Sequence, residues 1–301
     1  MSEPGTPPVV GIIGGSGLYA IEGLTDVETV TVETPYGAPS DALVLGTLEG
    51  IRCAFLPRHG RGHRFTPSEV NYRANLWALK SLGVRHIISV SAVGSLEEAV
   101  EPGHLVCVDQ FIDRTRQRPN TFFGEGCVGH VQFGDPVEEG LRQELMAAAR
   151  AVSGTTVHDG GAYVCIEGPT FSTRAESQMF RAWGARVVGM TNLPEARLAR
   201  EAEMAYATLA LSTDYDCWHA GHDEVSVESV LAVIQANVAA AKRVIRETCR
   251  RLAALGDVTW PAHAALGGGT AIMTRTDLIP TEARRRLQPI VGKYLWPEEQ
   301  H

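Results

Sequence analysis

Five stretches of the sequence concentrate residues able to do chemistry, and each interrupts the end of an apolar, strand-like run. In "LSTDYDCW" (211–218), Asp214 and Asp216 close such a run, and alternation along an extended chain points both carboxylates the same way. Two carboxylates so placed at a buried strand end tend to have separated pKa values, one of them held protonated. The protonated one can donate to a leaving nitrogen while its ionised neighbour accepts from an amino group. A pair of helix caps and a Mg²⁺ site are the other readings, and a metal would need further oxygen ligands that the sequence does not point to. The stretch "PRHGRGHRFTP" places Arg58, His59, Arg61, His63 and Arg64 directly after another run. Guanidinium forks and imidazoles beside glycine suit a phosphate; a basic solvated turn is the alternative.

Three weaker clusters join these. "VVGIIGGSGLY" (9–19) breaks into Gly14-Gly15-Ser16-Gly17, either backbone N–H groups packed against an anion or a plain tight turn. In "SVSAVGSL" (89–96), Ser91 and the backbone after it end a strand in small residues that could help hold the same anion. "IEGPTFSTRAE" (166–176) leaves its strand irregularly at glycine and proline. Phe171 there is either a core residue or a platform for a planar ring, and Glu167 either structural or a ligand of a sugar hydroxyl.

The elements that must position these residues alternate along almost the whole chain. Strands are expected at 8–14, 53–57, 86–92, 105–112, 162–168, 185–191 and 207–214, β-branched and without polar alternation, hence buried on both faces. Thr66-Pro67-Ser68-Glu69 has the form of a capping box opening a helix through 83, and Thr173-Arg174-Ala175-Glu176 of another. Further helices are expected at 138–152, 194–204 and 226–255. The alternation predicts an α/β fold: one domain, 8–256, with a central mixed, mostly parallel β-sheet flanked by helices. "LGGGT" (266–270) reads as a flexible joint, and 266–297 as a C-terminal helical appendage of the same domain.

Bulk properties narrow the partners. The net charge of −8 over 301 residues, with no basic stripe, argues against nucleic acid. The six cysteines form no CxxC pair and read as small buried hydrophobes of a reducing compartment. The first residues lack the basic and apolar regions of a signal peptide, and no apolar run approaches the ~18 residues of a membrane span. A cytoplasmic protein without membrane contact is expected.

A phosphate site, a stacking aromatic and a carboxylate pair together fit phosphorolysis of a nucleoside. The stretches "GIIGGSGLY", "TPYGAPSDALVLG", "PRHGRGHRFTPSEVNYRANLWALKSLG", "VDQFIDRT", "IEGPTFSTRAESQMFRAWGA", "GMTNLPEA" and "STDYDCW" resemble the 5′-methylthioadenosine phosphorylase family of the trimeric purine nucleoside phosphorylase superfamily. The resemblance runs from about Val9 to Leu231, and "LIPTEARRRLQPIVGKYL" is similar to the tail of bacterial members. It implies a nucleoside phosphorylase-like fold, inorganic phosphate as co-substrate, no cofactor, no metal and a homotrimer, or a dimer of trimers. It also implies that Ser16, Arg58, His59, Ser91, the backbone of Ala92 and Thr191 bind phosphate and border the ribose. Met190 would lie against the sugar, with Phe171 and Ser172 on the purine. Asp214 would donate to N7 and Asp216 accept from the 6-amino group. His130 would cover the 5′ side of a neighbouring subunit's site, and Val227, Val230 and Leu231 would form the 5′-methylthio pocket.

The chain departs from the family pattern at Thr170, where other members carry Arg, at Val93, where some carry Cys, and at Asn192, where adenine-specific eukaryotic members carry Thr. "TNLPEA" is shared with relatives acting on 6-oxo purines, so methylthioinosine, inosine and adenosine stand as alternative substrates. Those relatives tend to place Asn at the base, whereas an acceptor carboxylate suits a 6-amino group. A dinucleotide-binding dehydrogenase would need an acidic ribose binder after a second strand, which is missing. A purine-binding protein without catalysis would have no use for Ser16, Arg58 and His59 together.

Overall fold

The structure, a computed structural model, describes residues 9–15, 17, 18, 20–151, 154, 156–219 and 227–297, with backbone alone at 227–232. Its spine is β5 (His86–Ser95). Strand β11 (Ala205–Asp214) runs parallel to β5 along its length, from Ala205 opposite His86 to Asp214 opposite Gly94. The other edge of β5 is shared. Strand β1 (Val10–Gly14) covers only His86–Ser89, in parallel, and β10 (Ala185–Gly189) covers Gly94 and Ser95, antiparallel. The C-terminal ends of β1 and β10 therefore face each other across residues 90–93 of β5, where no described strand covers the edge. This leaves residues 90–93 of β5 as an open edge between two strand ends.

Outside β1 lie β4 (Ile51–Pro57), parallel to it, then β3 (Leu43–Leu48) and β2 (Thr25–Val30), each antiparallel to the last. Outside β10 lie β9 (Ala162–Ile166) and β7 (Gln110–Arg114), all three parallel. Strand β6 (Leu105–Cys107) pairs antiparallel with β11 and carries β8 (Val157–Asp159) in parallel. The mixed, mostly parallel sheet is as expected, and β1 is buried at every residue.

Helices cover both faces. On one, α1 (Tyr72–Ser81), α4 (Asn192–Glu201) and α6 (Thr281–Leu295) bury Leu76, Leu79, Leu198, Leu287 and Val291 with Ile13 of β1. On the other, α2 (Glu139–Ala151) and α5 (Val227–Leu255) bury Leu145 and Ile245 with Val10 and Ile12. Each such side chain contributes about 1.5–3 kcal/mol. Helix α3 (Arg174–Ala182) packs Phe180 on Val164 and Val188. Residues 266–270 make a hydrogen-bonded turn, Gly269 N and Ala271 N both donating to the carbonyl of buried Leu266. Helix α6 is tied to the sheet-covering layer: Trp77 Nε1 donates to Arg286 O at 2.9 Å, and Lys293 pairs with buried Glu203 at 2.6 Å. No described helix is long and apolar enough to cross a membrane.

Two local expectations change. Thr66–Glu69 closes its own turn, with Thr66 N and Oγ1 donating to the Glu69 carboxylate, but the helix begins six residues later at Tyr72. Asn71 interrupts, because its side chain donates to Tyr36 O at 2.7 Å and accepts from Ala74 N at 3.2 Å. It is therefore the true cap. The run 105–112 divides into β6 and β7, which join different branches of the sheet. Between them Asp109 accepts from Gly161 N at 2.9 Å and turns the chain from one branch to the other.

Candidate active site

The corner where an anion is expected lies at the C-terminal ends of β1 and β4. Arg58 N donates to Gly14 O at 2.9 Å, so the basic stretch and the glycine loop meet there. The Arg58 guanidinium is buried and largely engaged by the protein: Nε and Nη2 hold both oxygens of Glu195 at 2.8 and 2.9 Å, Nη2 reaches Ser89 Oγ at 2.7 Å, and Nη1 reaches Val90 O at 2.9 Å. Burial opposes its charge, and the Glu195 carboxylate more than restores it, raising the pKa. Among the described residues one Nη1 hydrogen has no partner. His59 is half-buried, donates from Nδ1 to Phe65 O at 2.8 Å, and has its pKa lowered to about 4 by burial and then by Arg58. Ser16 falls outside the described residues.

Along the uncovered edge of β5, Ala92 is exposed while Ser91 and Val93 are buried. Ser91 Oγ lies 3.2 Å from both Thr191 Oγ1 and Tyr163 OH, so three hydroxyls converge where β10 runs out toward β5. Thr191 precedes α4 and its hydroxyl makes no cap bond, leaving that helix start open. Gly189 is needed here: a methyl group on it would collide with the Tyr163 hydroxyl.

The carboxyl pair closes the other end. Asp214 is exposed, and its two oxygens accept from Thr213 Oγ1 at 2.7 Å and Asp216 N at 2.8 Å. Asp216 sits in the left-handed region at φ 50°, a sparsely populated conformation for a residue other than glycine. Burial, and secondarily the Asp214 charge, raise its pKa. The nearby Ser177 hydroxyl opposes this shift; among the described residues Asp216 Oδ2 and Ser177 Oγ are buried and make no hydrogen bond. Ser172 Oγ is buried and unpaired as well, and Ser172 O accepts from Cys217 Sγ at 3.3 Å, which joins the loop before α3 to the carboxyl pair. Gly94 permits this approach; a Cβ there would stand 3.0 Å from Asp214 Oδ1 and 3.2 Å from Asp216 Cβ. Phe171, on the same loop, is 79% exposed, an open aromatic face and not a core residue.

Arg118 and Glu195, unmarked in the sequence, hold this arrangement together with residues named above. Arg118 is buried and donates to Met190 O (2.6 Å), Leu193 O (2.8 Å) and Glu167 O (2.6 Å), binding the exits of β9 and β10 together. Met190 packs its sulfur beside Gly168 in the same knot. Glu167 is structural: its carboxylate pairs with Arg118 at 3.4 Å and accepts from Ser68 and from Arg116 N. Behind the anion corner Glu195 also accepts from Ser89 Oγ at 2.7 Å and Tyr206 OH at 3.0 Å. Asn192 turns into this buried network, donating to Tyr206 OH at 2.6 Å and Thr208 Oγ1 at 2.7 Å.

Other predicted residues stand apart. His130 is exposed on a loop stitched to 271–274, with its N–H donating to Ala271 O at 3.0 Å and Met273 N to Val128 O at 2.8 Å. No hydrogen bond or ion pair joins it to the strand-end cluster among the described residues. Val227, Val230 and Leu231 begin α5, and their side chains lie outside the described residues. No group of His, Cys, Asp and Glu among the described residues could hold a metal ion.

An open strand edge with the Arg58–His59 cluster at one end and a carboxyl pair at the other is the arrangement expected of a nucleoside-cleaving α/β enzyme. The chain belongs to the phosphorylase superfamily, whose family model matches residues 9–250. It is 57% identical over 288 residues to S-methyl-5′-thioadenosine phosphorylase of Geobacter sulfurreducens, covering 95% of this chain and 99% of that one. Among solved structures, a methylthioadenosine phosphorylase from an Antarctic soil metagenomic library superposes with TM-score 0.90 at 49% identity, covering 94% and 99%. Methylthioadenosine phosphorylase of Schistosoma mansoni in complex with adenine follows with TM-score 0.80 at 40% identity, covering 90% and 100%.

Proposed function

We propose that the protein cleaves 5′-methylthioadenosine with inorganic phosphate, giving adenine and 5-methylthioribose 1-phosphate. The observation that carries this reading is the placement of the carboxyl pair and the anion corner at two ends of one uncovered stretch of β5. A nucleoside laid along that stretch has its base at Asp214 and Asp216 and its C1′ between base and phosphate. Relatives named for this reaction match the chain over nearly its full length, and one of them was solved with adenine.

The C1′–N9 bond lengthens first, and oxocarbenium character develops on the ribose as in glycoside cleavage. Phosphate, held by His59, the remaining Arg58 hydrogen, the backbone at Ser91–Ala92 and the glycine loop with Ser16, attacks C1′ from the face opposite the purine. Its charge also stabilises the sugar cation. The carboxyl pair shares a proton that neutralises the departing purine. Burial raises the Asp216 pKa, which is the ground for proposing Asp216 as the holder of that proton. Asp216 then donates to N7 and Asp214 accepts from the 6-amino group, an exchange of the roles implied by the resemblance. Phe171 stacks on the base, Ser172 lines it, and Met190 and Thr191 border the ribose. The positioned phosphate is itself the nucleophile, so the reaction as written calls for no metal or organic cofactor.

The enzyme works as a cytoplasmic homotrimer in purine and methionine salvage, His130 covering the 5′ side of a neighbour's site. In support, His130 is exposed beside Val128 and Met273, which are 47% and 66% exposed. The departures leave this reading intact: Val93 is core, Asn192 faces the buried network away from the cleft, and Thr170 is exposed. Rates of base release from methylthioadenosine, methylthioinosine, adenosine and inosine test the substrate assignment. Methylthioadenosine is expected to react fastest; a faster 6-oxo nucleoside would overturn the roles given to the carboxyl pair.

A further inference from the structure

The ring of His59 has its hydrogen placed by a neighbour. Nδ1 stands 2.8 Å from Phe65 O, and a carbonyl oxygen only accepts, so Nδ1 carries the hydrogen. In the neutral ring Nε2 is then a lone pair. It has no protein partner among the described residues, and the ring plane is set by stacking on His63, centroids 4.3 Å apart. Burial and the adjacent Arg58 charge disfavour the imidazolium, with His63 adding to them and Phe65 O and Glu195 opposing. The Arg58 N–H bonded to Gly14 O fixes this part of the chain at the anion corner.

Histidine in a phosphate site is ordinarily counted as a donor; with the Nδ1 hydrogen held by Phe65 O and the ring kept neutral by burial and Arg58, Nε2 is left as an acceptor. We propose that His59 accepts, at Nε2, the P–OH hydrogen of hydrogen phosphate, and that the site thereby selects oxyanions bearing a hydroxyl. The inference rests on the phosphate corner proposed above. At neutral pH hydrogen phosphate carries one such hydrogen and sulfate carries none. A sulfate oxygen set against the Nε2 lone pair leaves an acceptor facing an acceptor, a loss of about tenfold or more in binding. The same contact orients the nucleophile. With the hydroxyl pinned at His59, an unprotonated oxygen is the one turned toward C1′.

The test compares the KM for phosphate with the inhibition constant of sulfate, for the wild type and for His59→Gln, whose amide offers an N–H. The wild type is expected to favour phosphate over sulfate by about tenfold or more, and His59→Gln to narrow that ratio. Equal binding of the two anions by the wild type, or an unchanged ratio in the variant, would overturn the proposal. Nitrogen NMR of ring-labelled histidine in the wild type saturated with phosphate gives a readout independent of the variant's folding. An unprotonated Nε2 at His59 is expected, and an imidazolium there overturns the proposal. Adenine release indifferent to phosphate would be a different failure, since it removes the phosphate corner itself.

Discussion

Asp214 and Asp216 have the same side chain and different surroundings. Asp214 is exposed with both oxygens accepting hydrogen bonds, while Asp216 is half-buried with Oδ2 unpaired. The two neutral variants should therefore differ. Asp216→Asn keeps a donor near N7 but cannot release a proton, so kcat is expected to fall by about 10²–10⁴ with a smaller change in KM. Asp214→Asn turns an acceptor into a group that can donate, and is expected to shift preference from methylthioadenosine toward methylthioinosine. Steady-state kinetics on both substrates check this, and the opposite pattern would return the proton to Asp214. At this scale the sequence was legible where chemistry breaks into an apolar run: the pairs Asp214/Asp216 and Arg58/His59 stand out against their strands. Tyr163 and Tyr206 did not, because their rings belong to the core and only their hydroxyls, at 3.2 and 3.0 Å from Ser91 and Glu195, serve the site.

Elements position the site through bonds that no local pattern announces. Strand composition identified β1, β4, β5, β9, β10 and β11 because burial on both faces leaves an uninterrupted apolar record. The edge of β5 left uncovered between β1 and β10 is a matter of register, which single-strand composition does not contain. Arg118 illustrates the same limit. It lies in an irregular stretch after β7, and its role arises only when the exits of β9 and β10 meet around it. Replacing it removes donors from several buried carbonyls. Arg118→Met is expected to raise the KM for nucleoside about tenfold or more while leaving the KM for phosphate within about twofold, because the anion corner hangs on Arg58 and Glu195. Equal effects on both substrates would indicate general unfolding in place of a positioning role. The cap of α3 was legible and is observed: Thr173 Oγ1 accepts from Glu176 N at 3.2 Å and Thr173 N donates to the Glu176 carboxylate at 2.8 Å. The cap of α1 was misplaced because Asn71 is held by a loop 35 residues earlier.

The whole molecule carries buried ionisable groups whose titration should be measurable in its stability. Glu201, accepting from Thr121 Oγ1 and Phe122 N at 2.7 Å, has its pKa raised by burial from 4.5 to about 7. The fold therefore prefers the protonated form, and the stability this contributes is full below pH 4.5 and lost as pH rises toward about 7. Relative to Glu201→Gln, the wild type is expected to lose up to about 3 kcal/mol across that window; a difference constant with pH would contradict it. At the level of assembly, where a homotrimer is proposed, His130→Ala is expected to leave sedimentation unchanged while weakening the preference for methylthioadenosine over adenosine. Retained preference would remove His130 from the 5′ side.

In the proposed reaction phosphate is the nucleophile. Phosphorus NMR of the protein turning over methylthioadenosine in phosphate tests it most directly. One sugar 1-phosphate is expected per adenine released, and no release when phosphate is withheld. Adenine released at the same rate without phosphate, with free methylthioribose as the other product, would contradict it.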